Sequence, residues 1–158
     1  MRGNEKVIAA LNEGLKEELT AINQYFLHGE MCQNWGYERL YAATKKHSIG
    51  EMKHAEELIE RLLFLDAEPQ MAETLPLKIG HSVKQQMEND LSLELGAVAS
   101  YNAAIKVCTE AGDAASRELF EELLADEEEH VDWLETQLHQ IEEVGLDRYL
   151  SQQIRKEE

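Results

Sequence analysis

The 158-residue chain is long enough for one domain with a substantial core and short for two. Its 32 acidic against 15 basic side chains leave a net charge of −17 with no basic island, which argues against nucleic acid and anionic membranes as partners and suits attraction of cations. With 43% apolar and 30% charged residues, the composition is that of a folded soluble protein and not of a disordered acidic tail.

No apolar run approaches the roughly 18 residues of a membrane span. The N-terminal MRGNEKVIAALNEG has neither an apolar core nor a cleavage site for export, so the cytoplasm is the expected location. Cys32 and Cys108 lie far apart and outside any CxxC, which fits a reducing compartment and leaves neither a CxxCH motif nor a four-cysteine metal site.

Apolar residues first recur at helical spacing as Val7, Leu11, Leu15, Leu19, Ile22 and Phe26, up to Gly36. The period resumes beyond that glycine and runs through Leu58, Leu62 and Leu65, which reads as an amphipathic helical hairpin. Both prolines, Pro69 and Pro76, fall with Gly80 in DAEPQMAETLPLKIGHS, which bars helix from about residue 66 to 82. A second hairpin follows: Met87, Leu91, Leu95 and Val98, a break at Gly112, then Leu119, Leu123, Leu134, Leu138 and Ile141. Gly145 ends it, and LDRYLSQQIRKEE predicts a short fifth helix with Leu146, Tyr149, Leu150 and Ile154 on one side. No segment alternates with period two, so no strand is expected.

The expected fold class is all-α: a single-domain four-helix bundle over residues 1–158, with a long crossover between its hairpins and a short C-terminal fifth helix, the ferritin-like arrangement. An overhand connection is preferred to a simple up-and-down bundle. Some sixteen residues between Leu65 and Ser82 can span a bundle's length, whereas antiparallel neighbours need about 2 to 8.

The two halves repeat. A shift of 76 places Leu15 on Leu91, Glu18 on Glu94, Leu19 on Leu95, Ile22 on Val98 and Tyr25 on Tyr101. It also places Gly36 on Gly112, Glu51 on Glu127, His54 on His130, Leu58 on Leu134 and Leu62 on Leu138. Each half therefore carries one lone glutamate, Glu18 or Glu94, and one ExxH, Glu51 with His54 or Glu127 with His130. Glu18 sits in the stripe Leu11, Leu15, Ile22, and Glu94 in the stripe Met87, Leu91, Val98. Each ExxH continues the apolar stripe of its own helix, so all six side chains point into the bundle. Glu18 lies 18 residues before Gly36, and Glu51 and His54 lie 15 and 18 after it. At about 1.5 Å per residue they meet at one height, roughly 25 Å from the turn, and the second hairpin repeats this around Gly112.

Four carboxylates clustered in an apolar interior repel one another and are strongly disfavoured unless positive charge is bound. Two divalent cations balance them. Oxygen-rich ligands with one imidazole per metal suit iron or manganese better than zinc. Glutamates from two helices with ExxH from two others form the di-iron carboxylate pattern. One ExxH is weak, because acidic helices generate it often and a solvated acidic face is the ordinary explanation. Two of them, each 33 residues after its lone glutamate, are specific.

The segments KVIAALN near the start, ELTAINQYFLH around Glu18, SIGEMKHAEELIERLLFL around Glu51, DLSLEL around Glu94 and DEEEHVDWLETQL around Glu127 carry a resemblance. Over essentially its whole length the chain resembles the bacterioferritins. The resemblance implies iron storage in a homo-oligomeric shell of 24 subunits built from two-fold dimers, with Fe(II) and O2 or H2O2 as reactants. It implies a ferroxidase centre of two iron ions at Glu18, Glu51, His54, Glu94, Glu127 and His130, with Glu51 and Glu127 as bridges. It also implies haem b shared between two subunits and an external reductase of the ferredoxin type for iron release.

Met52 carries the haem expectation. It lies about 100° around the helix from Glu51 and forms a second apolar stripe with Ile49 and Ile59. On spacing alone it reads as an interface methionine; the family match assigns it to haem iron, one thioether from each subunit. Leu19, Ile22, Asn23 and Phe26 fit either a haem pocket or core packing. Tyr25 and Tyr101 each lie two turns from a ligand glutamate, able to bond a bridging carboxylate or to supply an electron. Tyr25 matches a family tyrosine beside the centre and ranks first. Trp35 and Trp133 match family tryptophans, and His28, His47, His81 and His139 read as surface or packing residues.

Many bacterioferritins carry His and Asp where this chain has Lys46 and Gly50, forming an extra iron site on the cavity wall; these two residues cannot replace those ligands. The competing readings are a non-storage di-iron oxidase, oxygenase or peroxidase, a DNA-protecting mini-ferritin, and a purely structural cage subunit. A rubrerythrin-type peroxidase needs cysteine pairs that are absent, and a mini-ferritin places its ligands between subunits. A structural subunit has no reason to hold all six ligands.

Overall fold

The computed structural model describes residues 1–156 and contains five helices: α1 (Glu5–Asn34), α2 (Glu38–Phe64), α3 (Val83–Ala111), α4 (Ala114–Val144) and α5 (Leu146–Ser151). There is no strand among the described residues, and no helix is long and apolar enough to cross a membrane. Side-chain caps start three of the helices. Asn4 Oδ1 accepts from the backbone N–H of Lys6 and Val7, Ser82 Oγ from Gln85, and Asp113 Oδ1 from Ser116. Each satisfies a donor that the first helical turn leaves open. At the other end of α3, Gly112 takes a left-handed φ of 72°, which ends the helix at low cost.

The pairs α1–α2 and α3–α4 form the two hairpins; α1 lies along α3, and α2 meets α4 in a lighter seam. This is the overhand four-helix bundle that the apolar periodicity and the length of the connection imply. Its interior is not one continuous apolar core. One apolar block gathers Val7, Leu11, Leu15, Leu58, Leu62, Phe120 and Leu123. A second, at the opposite end, gathers Cys32, Leu40, Val83, Met87, Leu134, Ile141 and Tyr149. Between them lies a layer of buried acids and histidines.

Residues 65–82 carry no regular structure, yet they are tied to α1 at successive turns. The backbone N–H groups of Gln70, Leu75, Lys78 and Gly80 donate to Asn12 Oδ1, Thr20 Oγ1, Gln24 Oε1 and His28 Nε2, at 2.9, 2.8, 3.1 and 2.9 Å. The side chains of α1 thus supply acceptors that an irregular backbone cannot supply to itself. Below this ladder, Asp90 on α3 takes a hydrogen bond from Gln24 Nε2 at 2.8 Å and pairs with His28 Nδ1 at 2.9 Å. His28, fully buried, is therefore the end post of the crossover.

Four side chains depart from the sequence pattern, Leu146 among them as an exposed residue at the start of α5. Phe26 is 57% exposed, because the inner face at that level of α1 is occupied by Gln24, Tyr25 and His28, held there by polar partners. Leu95 is also exposed, since its neighbour Glu94 takes the inward position. Ile154 lies beyond α5 and is exposed; Tyr149 anchors that helix, buried and donating from its hydroxyl to Gln137, and Leu150 packs partly against the same apolar block.

Gly80 closes the crossover against α3. A Cβ there would sit 2.3 Å from Gln86 N and 2.6 Å from Gln86 Cα, backbone atoms that cannot step aside. Gly80→Ala is expected to cost about 1–3 kcal/mol through overpacking. That corresponds to a fall of about 3–10 °C in Tm by circular dichroism. An unchanged Tm would show that the crossover tolerates displacement.

Candidate metal centre

The six inward-pointing residues converge in the layer between the apolar blocks. Glu18 comes from α1, Glu51 and His54 from α2, Glu94 from α3, and Glu127 and His130 from α4. The four glutamates and His54 are buried and His130 is nearly so. Their ligand atoms form two groups, each within 4.8 Å: Glu18, Glu51, His54 and Glu127, and Glu51, Glu94, Glu127 and His130. Glu51 and Glu127 belong to both. Nδ1 of His54 stands 2.9 Å from Glu127 Oε1, 3.4 Å from Glu51 Oε1 and 3.5 Å from Glu18 Oε1. Nδ1 of His130 stands 3.3 Å from Glu51 Oε1, 3.4 Å from Glu127 Oε2 and 3.6 Å from Glu94 Oε1.

Protons neutralise this layer when no cation does. Burial pushes the carboxyl groups of Glu18, Glu51 and Glu94 up, so they favour the acid form. Burial acts on Glu127 in the same direction, but the adjacent Glu94, His130 and His54 outweigh it and hold this carboxyl well below the usual range. Burial opposes charge on both imidazoles. The nearby carboxyl groups of Glu127 and of Glu18 or Glu94 prevail, raising His54 to about 11 and His130 to about 10. The residues fit a metal pair. Glu18 Oε2, Glu51 Oε1, Glu94 Oε2, Glu127 Oε2 and His130 Nδ1 are all buried without a hydrogen-bond partner, a concentration of unsatisfied donor atoms that cations would satisfy.

Each lone glutamate is held by a tyrosine from the opposite hairpin. Tyr25 on α1 donates to Glu94 Oε1 at 2.5 Å, and Tyr101 on α3 donates to Glu18 Oε1. The spacing suggested a bond to a bridging carboxylate. Instead both phenols reach the unshared glutamates, because each tyrosine lies two turns along its helix from its own glutamate and faces across the bundle. Burial, with the adjacent acids, raises both phenols well above their ordinary range and keeps them protonated donors. Tyr101 is thus placed as well as Tyr25, and the 76-residue repeat is the signal that pairs them.

Other groups border the layer. Asp126 Oδ2 lies 2.9 Å from His54 Nε2. His47 packs its ring 4.8 Å from that of His130 and 4.8 Å from Trp133; burial, with His130 and Lys46 nearby, lowers it to about 4, so it is a neutral packing residue. Glu17, also buried, is raised to about 8 by burial and by Glu13; nothing in its periodicity marked it. Met52 lies apart from the layer, 53% exposed beside Ile49 at 45%. Lys46 lines a cavity of about 530 Å³ with His47, Glu129, His130 and Trp133. Trp35, His81 and His139 are exposed and away from the centre.

An overhand helical bundle with duplicated carboxylate–histidine ligands in its mid-layer defines the ferritin-like class, and the profile of the Ferritin-like domain matches residues 8–144. The chain is 46% identical to a bacterioferritin of Brucella melitensis over 94% of its own length and 92% of the relative's. It is 43% identical to one from Mycolicibacterium paratuberculosis over 96% of each chain, and 41% identical to one from Rhodobacter capsulatus over 92% and 90%. The chain belongs to the bacterioferritin family.

Burial favours the acid form of Glu18, Glu51 and Glu94, and the surrounding acids favour the charged form of His54 and His130, so metal binding is expected to displace protons. Zn(II) added to the metal-free protein at pH 7 is expected to release more than about two protons per subunit, read with a pH indicator. The raised values of His54 and His130 mean that proton competition grows as pH falls, so uptake should weaken toward acid pH. Binding without proton release would mean that the ligands are already ionised.

Proposed function

We propose that the chain is an iron-storage subunit with ferroxidase activity. It would oxidise Fe(II) at a centre formed by Glu18, Glu51, His54, Glu94, Glu127 and His130 and store the Fe(III) product in a cytoplasmic shell of 24 subunits. The observation that carries this reading is the sharing of Glu51 and Glu127 by two overlapping ligand groups, which suits two adjacent cations bridged by carboxylates. Glu18 with His54, and Glu94 with His130, then serve one cation each.

Two Fe(II) substrates supply one electron apiece, so that O2 with two protons becomes H2O2, or H2O2 with two protons becomes two waters. The protein's part is placement and charge. Tyr25 orients Glu94 and Tyr101 orients Glu18. Protons leave Glu18, Glu51, Glu94 and both imidazoles as the cations enter, so the layer ends near neutrality and stays compatible with its apolar surroundings. The net charge of −17 favours Fe(II) approach.

Met52 would hold haem b between two subunits, one thioether from each, and the haem would carry electrons inward from a ferredoxin-type reductase for iron release. Its exposed thioether beside exposed Ile49 supports this, since such a patch invites a second subunit.

Iron retained after excess Fe(II), air and desalting tests storage: far more than about two ions per subunit is expected, whereas about two would indicate a di-iron oxidase without storage. Glu127→Ala is expected to slow Fe(II) oxidation by about 100-fold or more with the shell intact by size-exclusion chromatography. Losing a ligand costs more than the ~10–100-fold typical of losing a ligand's hydrogen-bond partner. An unchanged rate would place the chemistry elsewhere. Met52→Leu is expected to abolish the haem absorption band of protein expressed with haem, and a retained band would refute thioether ligation.

A further inference from the structure

The internal repeat is broken at one position that touches the metal centre. Shifted by 76, Glu127 falls on Glu51 and His130 on His54, so Asp126 falls on Gly50. Asp126 reaches from α4 across to α2, its Oδ2 2.9 Å from Nε2 of His54. With Nδ1 turned to Glu127 at 2.9 Å, both nitrogens of His54 are engaged. A carboxylate on the outer nitrogen fixes the N–H there and leaves the inner lone pair for a cation. The repeat would put the same support for His130 on α2, at position 50. Glycine cannot provide it, although a Cβ there would meet nothing within 4 Å, so packing does not require the glycine.

His130 is accordingly less constrained. Among the described residues no carboxylate pairs with its Nε2; its acidic neighbours all face Nδ1, at 3.3 to 3.6 Å, and Nδ1 has no hydrogen bond. Its side chain is 16% exposed against 7% for His54. The rings of His47 and Tyr25 pack against it, at 4.8 and 6.5 Å between centroids.

We infer that Asp126 is the positioning residue for His54, and that the absence of its counterpart at Gly50 makes the two cation sites unequal, the Glu18–His54 site binding divalent cations more tightly than the Glu94–His130 site. This rests on the reading of the layer as a metal centre. The inequality lies in the support of the imidazoles, since each site otherwise draws on one unshared glutamate and the same two shared ones.

Anaerobic titration of the metal-free protein with Co(II), followed by d–d absorption and by calorimetry, tests it. Two steps per subunit are expected. Asp126→Ala should weaken the first by about 10–100-fold and bring it toward the second. Asp126→Asn, whose side-chain oxygen still accepts from Nε2–H, should restore most of the loss. Gly50→Asp should tighten the second step and leave the first in place. Asp126 is 57% exposed, so folding is expected to survive its replacement, with circular dichroism as the check. The inference is overturned if Asp126→Ala leaves the first step unchanged or weakens both equally, or if Gly50→Asp has no effect on the second. Failure of the wild-type protein to bind Co(II) would instead overturn the metal-centre reading, and the inference with it.

Discussion

Everything in this bundle is arranged around the burial of four glutamates and two histidines in one layer between apolar blocks. An isolated buried carboxylate is so unfavourable that it takes up a proton or finds a partner. Here both occur: Glu127 keeps its charge between two protonated imidazoles, while Glu18, Glu51 and Glu94 are pushed toward the neutral acid. The layer separates two apolar blocks that could otherwise have met in a continuous core. Such an arrangement contributes little to stability by itself, since a buried charged network often does no better than an apolar replacement.

The crossover and the tyrosines serve the same requirement at a distance. Asn12, Thr20, Gln24 and His28 hold the irregular segment along α1, and Gln24 and His28 also grip Asp90 on α3. The placement of α3, and with it Glu94, is thereby fixed through contacts that involve no ligand. Tyr25 and Tyr101 then fine-tune the two unshared glutamates from across the bundle. The geometry of the layer is thus set in part by groups outside the six.

The helices, their break at Gly36 and Gly112, the crossover and the convergence of the six inward-pointing residues were legible because each is periodic or repeated, and polar residues interrupting an apolar stripe are conspicuous. What was not legible depends on contacts between elements that no periodicity records. His28 reads as an ordinary histidine until the backbone of Gly80 is placed against it. Asp126 sits in the run DEEEH, where any acid passes for a solvated surface residue, and only the position of His54 on another helix singles it out. Phe26 shows the converse error: it continues the apolar spacing but loses the interior to polar neighbours with better partners.

Neither hairpin owns a complete cation site. The group around His54 borrows Glu127 from the second hairpin, and the group around His130 borrows Glu51 from the first. A bound pair of ions would therefore act as a rivet through the two halves of the molecule, independent of the peptide that joins them. If the connection at 65–82 were cleaved, the halves would still be clasped by metal, by Tyr25 with Glu94, by Tyr101 with Glu18 and by His54 with Asp126. The mechanical continuity of the subunit would then pass through bound ions and side-chain contacts in place of its covalent chain.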